Sequence, residues 1–111
     1  MSDRIKKINS LLKQELNSLI LSELEFPAGT LVTIMGVDTT KDLHYAKVYI
    51  SVLPLEFAAQ VKKILERSNI QKFLFKKLST KFIPKLEFII DATEAKAREI
   101  EGLLDKIKKS E

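Results

Sequence analysis

The sequence predicts an α+β fold in which helices pack on one face of a three-stranded sheet. Three observations carry that expectation: amphipathic stretches at both ends of the chain, two adjacent runs rich in β-branched residues, and a central helical pattern whose phase shifts in mid-course. The predicted order is helix, strand, strand, helix, break, helix, strand, helix. With 111 residues and 45% hydrophobic content, the chain suits a single domain over 1–111 built around one core.

In the first segment, Ile5, Ile8, Leu12, Leu16 and Leu19 recur at three- and four-residue steps, which predicts a helix over residues 3 to 24. Phe26-Pro27-Ala28-Gly29 should end it, because proline disfavours helical backbone in the residue before it and glycine accepts a turn. Residues 31 to 39 then read as a strand, and Gly36 in the middle of them points to a bulge. Ala46, Val48, Ile50 and Val52 alternate with Tyr45, Lys47, Tyr49 and Ser51, the period of a strand buried on one side. Thr40-Lys41-Asp42 between the two runs reads as a hairpin connection.

Pro54 suits the first position of a helix, and Phe57, Val61, Ile64 and Leu65 give that helix an apolar stripe over about 54 to 66. At Ser68-Asn69 the stripe restarts in a new phase as Ile70, Phe73, Leu74 and Leu78, with Asn69 as the N-cap. After Pro84, KLEFIID fits a third strand of about six residues. Asp91 to Glu94 has the form of a capping box, followed by a last helix over about 92 to 109 with Ala97, Ile100, Leu104 and Ile107 inward.

Charge is the strongest functional signal. Residues 62 to 85 hold eight bases against the single acid Glu66, a net of +7, whereas the whole chain is only +4, so the remainder sums to −3. A field that is basic on one side and mildly acidic elsewhere draws a polyanion to one face, which makes nucleic acid the first partner to expect. The chain has no cysteine, which excludes disulfides and thiolate metal sites and agrees with a cytoplasmic setting. The N-terminal stretch mixes charged and apolar residues, so neither a signal peptide nor a membrane span is expected. His44 is the only histidine and reads as a turn residue, and no nucleophile elbow, P-loop or paired-carboxylate pattern supports catalysis.

With these elements placed, the residues resemble the ribosome-binding factor A family. The resemblance rests on Val32-Thr33-Ile34-Met35-Gly36-Val37, Asp42-Leu43 and Ala46 to Val52. It extends to Glu23 and Pro27, to Ile83-Pro84 with Leu86 and Phe88, and to Asp91, Thr93, Glu94, Ile100 and Leu103-Leu104. These matches are collinear over nearly the whole chain. The resemblance implies a type II KH-like domain and a non-enzymatic assembly factor that binds the free 30S subunit and its 16S rRNA during late maturation and supports growth in the cold. It implies no cofactor and no small-molecule substrate. In the family an Ala-x-Gly kink joins the two central helices, and by collinearity the kink positions here are Glu66, Arg67 and Ser68. Neither the small residue nor the glycine is kept, so the close backbone approach that glycine permits is not expected at this break.

The candidate RNA-binding residues are Lys62, Lys63, Arg67, Ser68, Asn69, Lys72, Lys76, Lys77 and Lys81. Lys63 with Arg67, and Lys72 with Lys76, form two-charge rows at i, i+4 on either side of the break. The N–H groups at the start of the second of these helices suit a phosphate oxygen. Lys62 and Glu66 look like an ordinary surface pair, and the plainer alternative for every lysine is a solvated helix face. Tyr45, Lys47 and Tyr49 share the strand face opposite the apolar set, where they either contact RNA or pack across strands. Phe75 lies off its helix stripe and marks either a contact surface or packing on the last helix. A monomer is expected. Two other functions fit the same features: a KH-like module for another structured RNA, and a protein-interaction adaptor whose basic face meets an acidic partner.

Overall fold

The structure is a computed structural model that describes residues 2–78 and 83–93. Its elements are α1 (Ser2–Glu23), β1 (Leu31–Thr39), β2 (Tyr45–Leu53), a 3-10 turn (Leu55–Phe57), α2 (Ala58–Arg67), α3 (Ile70–Leu78) and β3 (Lys85–Ile90). Strand order is β1-β2-β3, with β1 antiparallel and β3 parallel to β2. The predicted α+β class and the broken helix between the second and third strands are therefore found. The last predicted helix, from residue 94 onward, lies outside the described residues, although its cap is present: the Thr93 N–H donates to Asp91 Oδ1 at 2.9 Å.

The helices share one side of the sheet. Ala46, Val48, Ile50 and Val52 of β2 are buried, as period two requires. Ile34 and Phe88 join three of them, Val48, Ile50 and Val52, from the flanking strands. Against this layer α1 brings Leu12, Leu16, Leu19 and Ile20, α2 brings Val61 and Leu65, and α3 brings Ile70 and Leu74. Phe73, expected in the α3 stripe, is instead 37% exposed. It sits about 100° around the helix from Leu74, at the margin of the apolar arc.

Two departures from the sequence reading have local causes. Pro54 does not open an α-helix: its backbone is extended, and the Phe57 N–H donates to the Pro54 carbonyl at 3.2 Å, closing a 3-10 turn before α2 begins at Ala58. Asn69 does occupy the N-cap position of α3, its carbonyl accepting from the Phe73 N–H at 3.0 Å, but the side-chain oxygen facing the first turn comes from Ser68. Elsewhere the turn chemistry is as read. Gly29 takes a φ of +81° after α1, and the β1–β2 register shifts between Ile34 and Gly36, which leaves Met35 in a bulge.

The hairpin turn is organised by one carboxylate. Asp42 Oδ1 accepts from the Thr40 hydroxyl at 2.6 Å and from the His44 N–H at 3.0 Å, while Leu43 adopts a left-handed φ of 63°. The His44 carbonyl then accepts from the Lys85 N–H at 2.8 Å, so the turn also aligns the start of β3.

Two asparagines eight residues apart on α1 satisfy the outer edge of β1. Asn17 makes a two-way contact with Ile34, accepting from its N–H at 2.9 Å and donating to its carbonyl at 3.2 Å, and Asn9 accepts from the Thr39 N–H at 3.0 Å. These bonds hold the helix over the strand at the bulge. Removing one leaves backbone groups unpaired in a part-buried place, at about 1–3 kcal/mol. Asn17→Ala should therefore lower the urea midpoint by that much stability with little change in m-value.

Asp42 also carries a pH signal. The Thr40 hydroxyl, followed by the His44 N–H, holds its carboxyl below the ordinary carboxylate range. A carboxylate with a depressed folded-state pKa stabilises above its unfolded value and loses that contribution as pH falls through the folded one. Stability should fall on acidification below about pH 4. The acid limb should be shallower in Asp42→Asn, as followed by circular dichroism across a pH titration.

Candidate functional site

The break between α2 and α3 is built by one serine. Ser68 leaves the helical region with φ −77° and ψ 163°, its N–H still reaching the Leu65 carbonyl at 3.3 Å. Its hydroxyl donates to the same carbonyl at 2.7 Å and accepts from the Ile70 N–H at 3.4 Å. A single side chain thus terminates one helix and starts the next. Among the described residues, positive φ is confined to Gly29 and Leu43, so this break has no conformation that requires glycine. The chain therefore keeps the break without the glycine that the resemblance implies.

Because β2 and β3 are parallel, α2 must carry the chain back along the sheet, and the break falls beside the entry ends of both strands. There Tyr45, Lys62, Leu65, Glu66, Ser68, Ile70, Gln71, Lys85, Leu86, Glu87 and Phe88 line a groove of about 640 Å³. Gln71 ties its end together, donating to the Pro84 carbonyl at 2.8 Å and accepting from the Leu86 N–H at 3.3 Å. The charged groups in this groove are two bases and two acids, and Lys62 Nζ lies 3.9 Å from Glu66 Oε1. Its net charge cancels. A polyanion is not drawn into the groove by charge.

Unbalanced charge sits on the other faces of the two helices. At about 100° per residue, Lys63 and Arg67 project opposite the buried pair Val61 and Leu65, and Lys72 and Lys76 project opposite Ile70 and Leu74. All four are exposed, and among the described residues none has an ion-pair partner. Asn69 is exposed between the two rows and Ser68 is half-buried. Lys77 differs from its neighbours: its Nζ lies 3.0 Å from Glu15 Oε2 and 3.3 Å from Ser18 Oγ, so it ties α3 to α1. Lys81 lies outside the described residues.

The strand face holds a second mixed array. Lys47 stands between Asp38 on β1 and Glu87 on β3, and Tyr45 stands beside Lys85. Tyr45 is exposed and Tyr49 half-buried. Flanked by acids on both sides, Lys47 has less uncompensated charge than the helix rows. Sequence reasoning missed Gln71, Lys85 and the groove, because an amide and a lysine acquire this role only once the strand and the helix are brought together. Among the described residues, no three His, Asp or Glu side chains cluster as metal ligands, and no helix is long and apolar enough to cross a membrane.

Fold and charge together define a small mixed-sheet α+β module whose broken helical crossover displays a basic outer surface. The family follows from comparison: the Ribosome-binding factor A family model matches residues 4–104, and this chain belongs to that family. It is 40% identical to the ribosome-binding factor A of Chlorobium phaeobacteroides, over 100% of this chain and 99% of that protein. To that of Chlorobaculum tepidum it is 41% identical, over 97% and 93%. Among solved structures it resembles the Thermus thermophilus ribosome binding factor A, a homology model fitted into a cryo-EM map of a 30S complex. The TM-score is 0.62 at 27% identity, covering 76% of this chain and 91% of that one. The family is one of ribosome-binding factors and not of enzymes.

Ser68→Ala should cost about 1 kcal/mol through the lost cap. Ser68→Thr, which keeps the oxygen, should recover most of it, and urea unfolding of both variants checks the assignment.

Proposed function

We propose that this protein is a non-enzymatic assembly factor that binds the free 30S subunit and its 16S rRNA late in maturation and supports growth in the cold. It acts as a single KH-like domain, as a cytoplasmic monomer, without cofactor. Its work is to neutralise phosphate and fit folded RNA, and the observation that carries this reading is the pair of outward basic rows, Lys63 with Arg67 and Lys72 with Lys76. Each unpaired lysine or arginine that meets a phosphate releases counterions, which favours binding at low salt. The Thermus thermophilus relative, fitted into a map of a 30S complex, supports the choice of partner.

Ser68, Asn69 and Lys81 complete the proposed surface, and Lys62, paired with Glu66 at the groove, borders it. Lys77 contributes to it by steadying α3 on α1. The neutral groove beside the break leaves backbone contact to the helix rows and offers room for groups that carry no charge.

Co-sedimentation tests the function directly. Binding to free 30S subunits and not to full ribosomes is the expected result. Binding that survives nuclease and high salt would instead favour a protein-interaction adaptor. Lys72→Ala with Lys76→Ala should weaken RNA binding equally for all sequences and flatten the dependence of log K on log salt by roughly one to two units. Unchanged affinity and slope would remove these rows from the mechanism.

A further inference from the structure

The outward face of α3 carries more than charge. Its sequence Lys72-Phe73-Leu74-Phe75-Lys76 buries only the central leucine and leaves Phe73 37% and Phe75 50% exposed. Phe88 is part of the core, and Phe26 and Phe57 pack against it as partly buried residues, but Phe73 and Phe75 belong to neither set. Each ring keeps a third to a half of its surface in water, and two such rings on one nine-residue helix leave apolar area that a partner can cover.

Their placement relative to the lysines specifies the partner. Lys72 and Lys76 lie roughly 40° apart on the helix circumference, with Phe75 about 60° outside Lys72 and Phe73 about 60° outside Lys76. Lys72 and Phe75, and likewise Phe73 and Lys76, are i, i+3 neighbours roughly 5–6 Å apart at Cβ. A two-lysine ridge is thus bordered on each side by an aromatic ring. Two cations with no acid between them select an anionic polymer, and rings beside them match bases held next to the phosphates. Phenyl rings stack on the faces of unpaired bases but find none in a closed duplex.

We propose that the exposed face of α3 is a stacking platform for unpaired nucleotides of RNA, with Lys72 and Lys76 on phosphates and Phe75, the more exposed ring, under a base. The proposal rests on the RNA-binding reading above and deepens it: the segment held by α3 is single-stranded. Phe73 borders the same ridge and serves as a second, shallower platform.

The chain has no tryptophan, so Phe75→Trp places a unique fluorophore at the platform. Its emission should be quenched by a short oligoadenylate, but not by the same strand in a duplex with oligouridylate or by polyphosphate, which offers charge without bases. Phe75→Ala should lower affinity for the single strand about tenfold. Its salt slope should not change, because no phosphate contact is removed. Phe75→Leu should lose as much as Phe75→Ala, and Phe75→Tyr should bind like the parent. Full binding by the leucine variant, or equal quenching by polyphosphate, would overturn the proposal. So would RNA binding that weakens when Lys72 and Lys76 are removed yet ignores Phe75→Ala; in that case the RNA-binding reading stands and stacking alone fails. Complete absence of RNA binding overturns both.

Discussion

The parallel pairing of β2 with β3 is the constraint from which the rest of the architecture follows. A hairpin cannot join parallel strands, so the chain must leave the end of β2, cross the sheet and re-enter at the start of β3. Among the described residues the crossover consists of a 3-10 turn and two helices separated by Ser68, which is extended, and Asn69. Each helix buries one side against the sheet or α1 and turns its charged side to water. The helical crossover is therefore a topological requirement of the sheet, and the basic surface is the solvent side of a connection the sheet already needs.

This arrangement separates two charge environments that the sequence places only a few residues apart. On the sheet side of the break, Lys62, Glu66, Lys85 and Glu87 balance one another around an apolar floor that includes Leu65, Ile70 and Phe88. On the outer side, Lys63, Arg67, Lys72 and Lys76 are unbalanced. Charge is thus uncompensated on one face of these helices and cancelled on the other. Salt acts mainly on the first and leaves the second largely untouched.

Much of the fold was legible because its signals are local. The β-branched run and its central glycine located β1 and its bulge, and strict alternation located β2. The phase shift at Ser68-Asn69 located the break. What was not legible depends on contacts between distant segments. Nothing in KLEFIID distinguishes parallel from antiparallel pairing, and nothing in Asn9 or Asn17 marks them as partners of a strand. Lys77 looks like its neighbours until α1 lies beside it with Glu15. Phe73 was misplaced for a geometric reason: it adjoins Leu74 in sequence but sits a quarter-turn away. The candidate site was legible as net charge, but not as a division between paired and unpaired side chains.

The amides that α1 lends to β1 have a consequence for life at high concentration. A bare outer strand offers its backbone to any extended segment that drifts past, including one from another copy of the same chain. Asn17 and Asn9 occupy that offer at Ile34 and Thr39, and Gln71 does so at the opposite rim by taking the Leu86 N–H. The sheet is thereby shielded at these positions on both flanks by side chains of its own helices, which opposes its lengthening into a ribbon of neighbours.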